Sequence, residues 1–261
     1  MNNNERRMLD VLKSLKNDHG VCELKAEFEN EGSRLDELSR LKDLTAAADM
    51  DLLIKIGGVE AITDIYQCLV LGVRSIVAPM AETAFAVSKF TDAIEKFVPE
   101  DNKQDLDFLI NVETITAVNN FDSMLDLPGI GHLEGITIGR VDLTASMGKD
   151  RGFANSNEML GICTKIMEKA RSGGLKTLTI GGAVSLESEE FLGSLIERDL
   201  VDRFETRKVV YPATAINNYA PALETGIKFE LEWLKSKQRY YHRIHAEDET
   251  RIQMLEARLN G

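Results

Sequence analysis

The sequence predicts an α/β fold, a (β/α)8-type barrel, complete or irregular, that carries an extended C-terminal helical segment. Three observations lead there. Apolar, β-branched runs of strand length alternate along the chain with segments of helical period. Hairpin signals are few, so successive strands should run parallel and be joined by right-handed crossovers. The length of 261 residues is that of one barrel, enough to bury a large single core.

The first element expected is an amphipathic helix from Glu5 to Lys16, with Met8, Leu9, Val11, Leu12 and Leu15 on one apolar stripe. Strands are expected at 21–29, 52–57, 74–79, 107–113, 135–141, 175–181 and 203–210. Helices should lie between them at about 34–48, 59–71, 83–97, 115–126, 156–172 and 187–198. Ser33, Thr83 and Ser156 are candidate N-caps, and Gly72 and Gly173-Gly174 candidate stops. That makes seven strands; an eighth lies either in the N-terminal segment read as helix or nowhere, in which case the barrel is irregular. From about Asn218 one long helix or two run through Phe229, Leu231, Leu234, Tyr240, Ile244, Ile252, Leu255 and Leu259. A barrel needs about one helix after its last strand. Residues 1–217 are therefore read as the barrel domain and 218–261 as a helical extension that packs on another copy of the chain. His242, His245, Glu247, Asp248 and Glu249 lie in this charged segment and read as a solvated helical face, not as a metal site.

Composition narrows the partners. The content of 43% hydrophobic and 28% charged residues is ordinary for a globular protein. A net charge of −12 argues against nucleic acid or an anionic membrane as partner. No stretch approaches the roughly 20 apolar residues of a membrane span, and the N-terminus lacks the apolar core of a signal peptide. Cys22, Cys68 and Cys163 are odd in number and widely spaced in apolar settings. They read as reduced, buried thiols of a cytoplasmic protein.

Period 2 decides which strand residues face the barrel interior. Between Val21 and Glu29, the apolar Cys22, Leu24, Ala26 and Phe28 alternate with Glu23, Lys25, Glu27 and Glu29. Helices must cover the outer face, so the charged set should point inward, where it is costly unless paired or bound to a ligand. The alternative is an exposed edge strand with a wet face. Lys55 ends the run Leu52-Leu-Ile-Lys55 and shares a face with Leu53 and Gly57. Asn111, Thr179 and Arg207 also occupy inward positions, with weaker claims. Glu113 ends the run Ile110-Asn-Val-Glu113, and Asp142 follows the run that begins at Gly135. In a parallel barrel the C-terminal strand ends form the reactive face. Two carboxylates there can hold a hard divalent ion, with waters and substrate oxygens completing its shell. The plainer reading is two acidic residues capping helices.

Val112-Glu-Thr114 together with Gly139-Arg-Val-Asp-Leu-Thr-Ala-Ser-Met-Gly148 resembles the HpcH/HpaI aldolase and citrate lyase β-subunit family, within the phosphoenolpyruvate/pyruvate-binding TIM barrels. Gly72-Val-Arg-Ser-Ile-Val-Ala-Pro-Met80 is similar to a further strand of that family. The resemblance implies that Glu113 and Asp142 hold Mg²⁺ or Mn²⁺. It implies that Lys55 stands where the family has an arginine at the keto acid, and that Gly139, Arg140 and Val141 form the turn whose amides bind the substrate carboxylate. Arg140 could touch substrate directly, and Arg151 matches a basic position of the citrate-lyase-like branch. One departure stands out. The family's pyruvate aldolases carry a strand-end histidine as base, whereas Lys25-Ala-Glu-Phe-Glu29 has none. Glu27 or Glu29 would then move the proton.

The expected function is a metal-dependent carbon–carbon lyase or aldolase acting on a pyruvate-like 2-keto acid. Two alternatives remain: a Schiff-base aldolase with Lys25 or Lys55 as nucleophile, and a catalytically silent barrel acting as scaffold or metabolite sensor.

Overall fold

The computed structural model describes residues 1–260, in which eight strands close into a barrel in sequence order. They are β1 (Glu23–Glu27), β2 (Asp51–Lys55), β3 (Ser75–Ala78), β4 (Asp107–Val112), β5 (Gly135–Gly139), β6 (Thr177–Gly181), β7 (Arg203–Glu205) and β8 (Val209–Pro212). The helices are α1 (Asn3–His19), α2 (Leu35–Ala47), α3 (Ile62–Leu71), α4 (Ala84–Phe97), α5 (Glu100–Asp105), α6 (Ile115–Leu125), α7 (Arg140–Ser146), α8 (Asn157–Ser172), α9 (Glu189–Ile196) and α10 (Tyr219–Asn260). The fold is the expected α/β barrel with a long C-terminal helix.

β1 to β7 run parallel, but β8 runs antiparallel to both β7 and β1. The eighth strand thus starts at the end of the run 203–210 and continues to Pro212, and is not part of the N-terminal segment. Thr206, Arg207 and Lys208 separate the two halves. A parallel return needs a crossover of a dozen or more residues, whereas a short turn permits only a hairpin. The Thr206 N–H donates to Val209 O at 3.0 Å and closes this one.

Because no helix separates β7 from β8, another element covers their outer face. Phe204 of β7 stacks on Tyr211 of β8 at 5.1 Å, and Tyr219 at the start of α10 lies 5.6 Å from Phe204. Gly226 admits the Tyr211 ring, since a Cβ there would stand 1.8 Å from the phenolic oxygen. Tyr219, Ala222, Leu223, Phe229 and Trp233 are all buried. The proximal part of α10 therefore serves as a barrel helix and packs along α1. Its distal part leaves Tyr240, Ile244, Ile252, Leu255 and Leu259 exposed.

Local signals account for most boundaries. The Thr83 and Ser156 side chains accept from Ala86 N and Met159 N and cap α4 and α8. Ser33 is not a cap, because Arg34 occupies that place before α2. β5 ends at Gly139, two residues earlier than expected, since Arg140 already opens α7. Cys22 is exposed, contrary to expectation, while Cys68 and Cys163 are buried.

The barrel interior is split in character. Leu53, Val77, Leu109 and Val210 make a small apolar cluster inside it. Towards the N-terminal strand ends, the buried Glu23 accepts from Ser75 Oγ at 2.6 Å and from Arg203 Nη1 at 2.9 Å. Charged groups also line the opposite end.

Candidate active site

The inward set of β1 lies where alternation places it. Glu23, Lys25 and Glu27 are buried, while Leu24 and Ala26 face the core under the helices. Pairing with β2 and β8 rules out an edge strand. Lys25 Nζ lies 2.5 Å from Glu205 Oε1 and 3.2 Å from Glu27 Oε1. Burial alone would lower the pKa of Lys25, but the charges of Glu205 and Glu27 and their hydrogen bonds more than reverse this, and it is raised. Lys55, at the end of β2, stands 3.0 Å from Glu29 Oε2 and 3.7 Å from Glu113 Oε2. There too burial pulls the pKa down and the glutamate charges outweigh it, so the ammonium is stabilised.

Glu113 follows β4 directly and is 2% exposed. Its Oε1 accepts from the Met80 N–H and its Oε2 from Asn111 Nδ2, both at 2.9 Å. Gly139, at the end of β5, leaves room for it, since a Cβ there would stand 2.8 Å from Glu113 Oε2. Asp142 lies in the first turn of α7, with an exposed side chain.

A cavity of about 340 Å³ opens at the C-terminal strand ends. Lys25, Glu27, Lys55, Glu113, Asp142 and Arg151 all line it, as do Gly139 and Val141. Arg207 and Asn111 join them, whereas Glu29 and Thr179 are not on its wall.

Arg140 departs from expectation. Its side chain is fully buried, and its guanidinium donates to Gly181 O, Gly182 O, Ala154 O and Asn155 Oδ1 at 2.7–3.2 Å while lying over the Phe191 ring. Burial pushes its pKa down to about 10, still cationic at neutral pH. All these donors go to the loops around the site, so the side chain is a brace and not a substrate contact. The backbone of the same turn keeps its expected place. A Cβ on Gly182, whose φ is +73°, would come within 2.8 Å of Arg140 N and 2.7 Å of Val141 N. The bare glycine thus leaves a cradle beside two amides at a strand-to-helix turn.

Sequence reasoning missed Glu205, a 3% exposed wall residue of the same cavity. It shares the inward face of the expected strand 203–210 with Arg207 but was not singled out. The alternation Arg203-Phe204-Glu205, with Phe204 in the core, is the signal that could have found it.

The donors suit a hard cation. Glu113 and Asp142 offer only oxygen, and a carboxylate that accepts two hydrogen bonds keeps further lone pairs free. Among the described residues, no group of three or more His, Cys, Asp and Glu could hold a metal. Two carboxylates therefore leave most coordination positions open to water and substrate, as a catalytic site requires.

Comparison with known proteins fits this geometry. Residues 14–193 match the model of the HpcH/HpaI aldolase/citrate lyase family. The chain belongs to that family. A curated relative, a 2-keto-3-deoxy-L-rhamnonate aldolase of Klebsiella pneumoniae, is 31% identical over 32% of this chain. The match spans 39% of that enzyme, well under half its length. Among solved structures, an HpcH/HpaI aldolase of Desulfitobacterium hafniense has a TM-score of 0.62 at 16% identity, covering 84% of this chain and 88% of its own. The citrate synthase SbnG also has a TM-score of 0.62 at 16% identity, over 87% and 89% of the two chains. A family protein of Burkholderia cenocepacia reaches 0.59 at 14% identity, over 93% and 90%. These likenesses show a shared barrel fold.

Proposed function

We propose that the protein is a divalent-metal-dependent carbon–carbon lyase that cleaves or forms the aldol adduct of a pyruvate-like 2-keto acid. The observation that carries this reading is the meeting of Glu113, Asp142 and Lys55 in one cavity at the C-terminal strand ends. Glu113 and Asp142 would hold Mg²⁺ or Mn²⁺, which when bound supplies Lewis acidity to the keto oxygen as negative charge builds there. The cradle at Gly182 leaves the Arg140 and Val141 amides open to the substrate carboxylate. Lys55, kept protonated by its glutamates, adds positive charge where the enolate oxygen develops. Arg151 at the wall would meet the distal part of the adduct. Glu27, tied to Lys25, lines the cavity as one candidate proton carrier, while Glu29 spends its charge on Lys55.

The Schiff-base reading loses ground on the same geometry. A lysine attacks a carbonyl only as the free amine. Both Lys25 and Lys55 have raised pKa values.

No helix among the described residues is long and apolar enough to cross a membrane. The exposed apolar stripe of distal α10 supports assembly with further copies of the chain.

Deuterium exchange into the methyl group of pyruvate, followed by NMR, tests the function. Exchange that needs Mg²⁺ or Mn²⁺ and falls at least about 100-fold in Glu113→Gln is expected. Metal-independent exchange lost in Lys55→Ala would establish the Schiff base. Metal binding with turnover of no keto acid would leave a silent barrel.

A further inference from the structure

Glu205 is built differently from the other acids of the cavity. Its Oε1 accepts from Lys25 Nζ at 2.5 Å. Its Oε2 is buried and has no hydrogen-bond partner among the described residues. A buried carboxylate oxygen left unsatisfied is costly, so such an atom is normally met by water or by a ligand. The backbone makes room for the group, because a Cβ at Gly181 would stand 2.9 Å from Glu205 Oε1 and 3.2 Å from its Cγ.

The atoms around it are of the same kind. Asn111 Oδ1 and Thr137 Oγ1 are also buried without a partner, and both residues line the cavity with Glu205. Wall residues of β4, β5 and β7 thus carry buried polar atoms that no group of the described residues satisfies. Glu113 accepts from Met80 N and Asn111 Nδ2, and its remaining lone pairs are those the lyase reading gives to the metal. Glu29 spends its charge on Lys55. Glu27 shares the Lys25 ammonium, but at 3.2 Å against 2.5 Å for Glu205, and only Glu205 among these acids has a fully buried oxygen that no group of the described residues satisfies.

We propose that Glu205 is the catalytic acid/base of the reaction, the group that takes and returns the proton, with Lys25 as its positioning residue; the assignment rests on the lyase reading above. In the cleavage direction, Glu205 Oε2 accepts the proton of the adduct hydroxyl. The O–H electron pair becomes the new carbonyl π bond as the carbon–carbon bond breaks. The electrons of that bond pass to the keto-acid fragment and form its enolate. Glu205 then delivers the same proton to the enolate carbon and returns to the carboxylate. The net change is one adduct to one aldehyde or ketone plus one keto acid, with no oxidant or reductant. Lys25 neutralises the carboxylate when the proton is away.

Two reactions of small keto acids separate this role from a structural one. Exchange of pyruvate methyl protons needs a base. Decarboxylation of oxaloacetate generates the same enolate by loss of CO2 and needs none. With Mn²⁺, the wild type is expected to do both. In Glu205→Gln the ratio of exchange rate to decarboxylation rate should fall at least about 100-fold, and Glu205→Asp should recover part of it. A ratio unchanged in a Glu205→Gln variant of native circular dichroism would overturn the assignment. So would a collapse of the ratio in Glu27→Gln with Glu205→Gln intact. A wild type that neither exchanges nor decarboxylates would instead overturn the lyase reading and take this proposal with it.

Discussion

Gly139 and Gly181 are partners in the β5–β6 register, and each keeps a different carboxylate in the cavity. A methyl group at 139 would meet Glu113 Oε2 at 2.8 Å and Glu113 Cβ at 2.9 Å. Gly139→Ala should therefore fold with a loss of about 1–3 kcal/mol, yet bind Mn²⁺ at least about 10-fold more weakly by calorimetry. Unchanged metal affinity would detach Glu113 from the metal. Arg140 calls for the opposite experiment. Arg140→Met strands the carbonyls of Gly181, Gly182 and Ala154 in a buried setting, at a cost of about 3 kcal/mol or more in urea unfolding. A variant as stable as the wild type would return Arg140 to the substrate. The contrast shows what was legible at this scale. Lys25, Glu27, Lys55 and Glu113 could be read because strict alternation fixes which face a strand residue takes. Arg140 could not, because it sits one residue past the strand, where helix geometry and not alternation directs the side chain.

At the scale of elements, the missing β7–β8 helix and the surplus C-terminal helix explain each other. Seven strands were readable, six of them because each is followed by a turn and a helix of its own period and β7 because it begins after one. β8 was not, because a three-residue turn interrupts the run without an Asn-Gly or Gly-X signal. Proximal α10 fills the vacated flank with Tyr219, Phe229 and Trp233. Its distal part covers no strand of the barrel, for Ile244, Ile252 and Leu255 stand about half exposed. Ending the chain after Arg243 should leave the thermal midpoint of the dissociated protomer within about 3 °C of the same protomer at full length, since little buried area is lost. Sedimentation velocity should show the truncated chain as a smaller species. An unchanged sedimentation coefficient per chain would mean that this stripe joins no second copy.

The whole barrel has two ends with different duties. The C-terminal end holds the cavity, while Glu23, Ser75 and Arg203 close the other with buried polar groups, an end at which residues serve stability. Burial pushes the Glu23 carboxyl up to about 6 from an ordinary value of 4.5, against the pull of the Arg203 charge and the Ser75 hydrogen bond, with Asp51 and Asp107 adding to the rise. A raised folded-state pKa means that the folded chain holds this proton more tightly than the unfolded one. Its contribution is fully present below pH 4.5 and is lost as the pH rises through about 6. A gap of that size corresponds to about 2 kcal/mol. Glu23→Gln removes the titration and with it the pH-dependent pairing with Arg203, while its effects on packing and on the Ser75 hydrogen bond shift stability without regard to pH in this range. The informative quantity is therefore a double difference: the change in urea-unfolding free energy from pH 4.5 to pH 7.5, wild type minus variant. The wild type should lose about 2 kcal/mol more than Glu23→Gln over that interval, whatever the other carboxylates contribute, because they titrate in both proteins. Equal losses would mean that Arg203 keeps Glu23 ionised throughout, and that the closed end of the barrel carries a permanent ion pair.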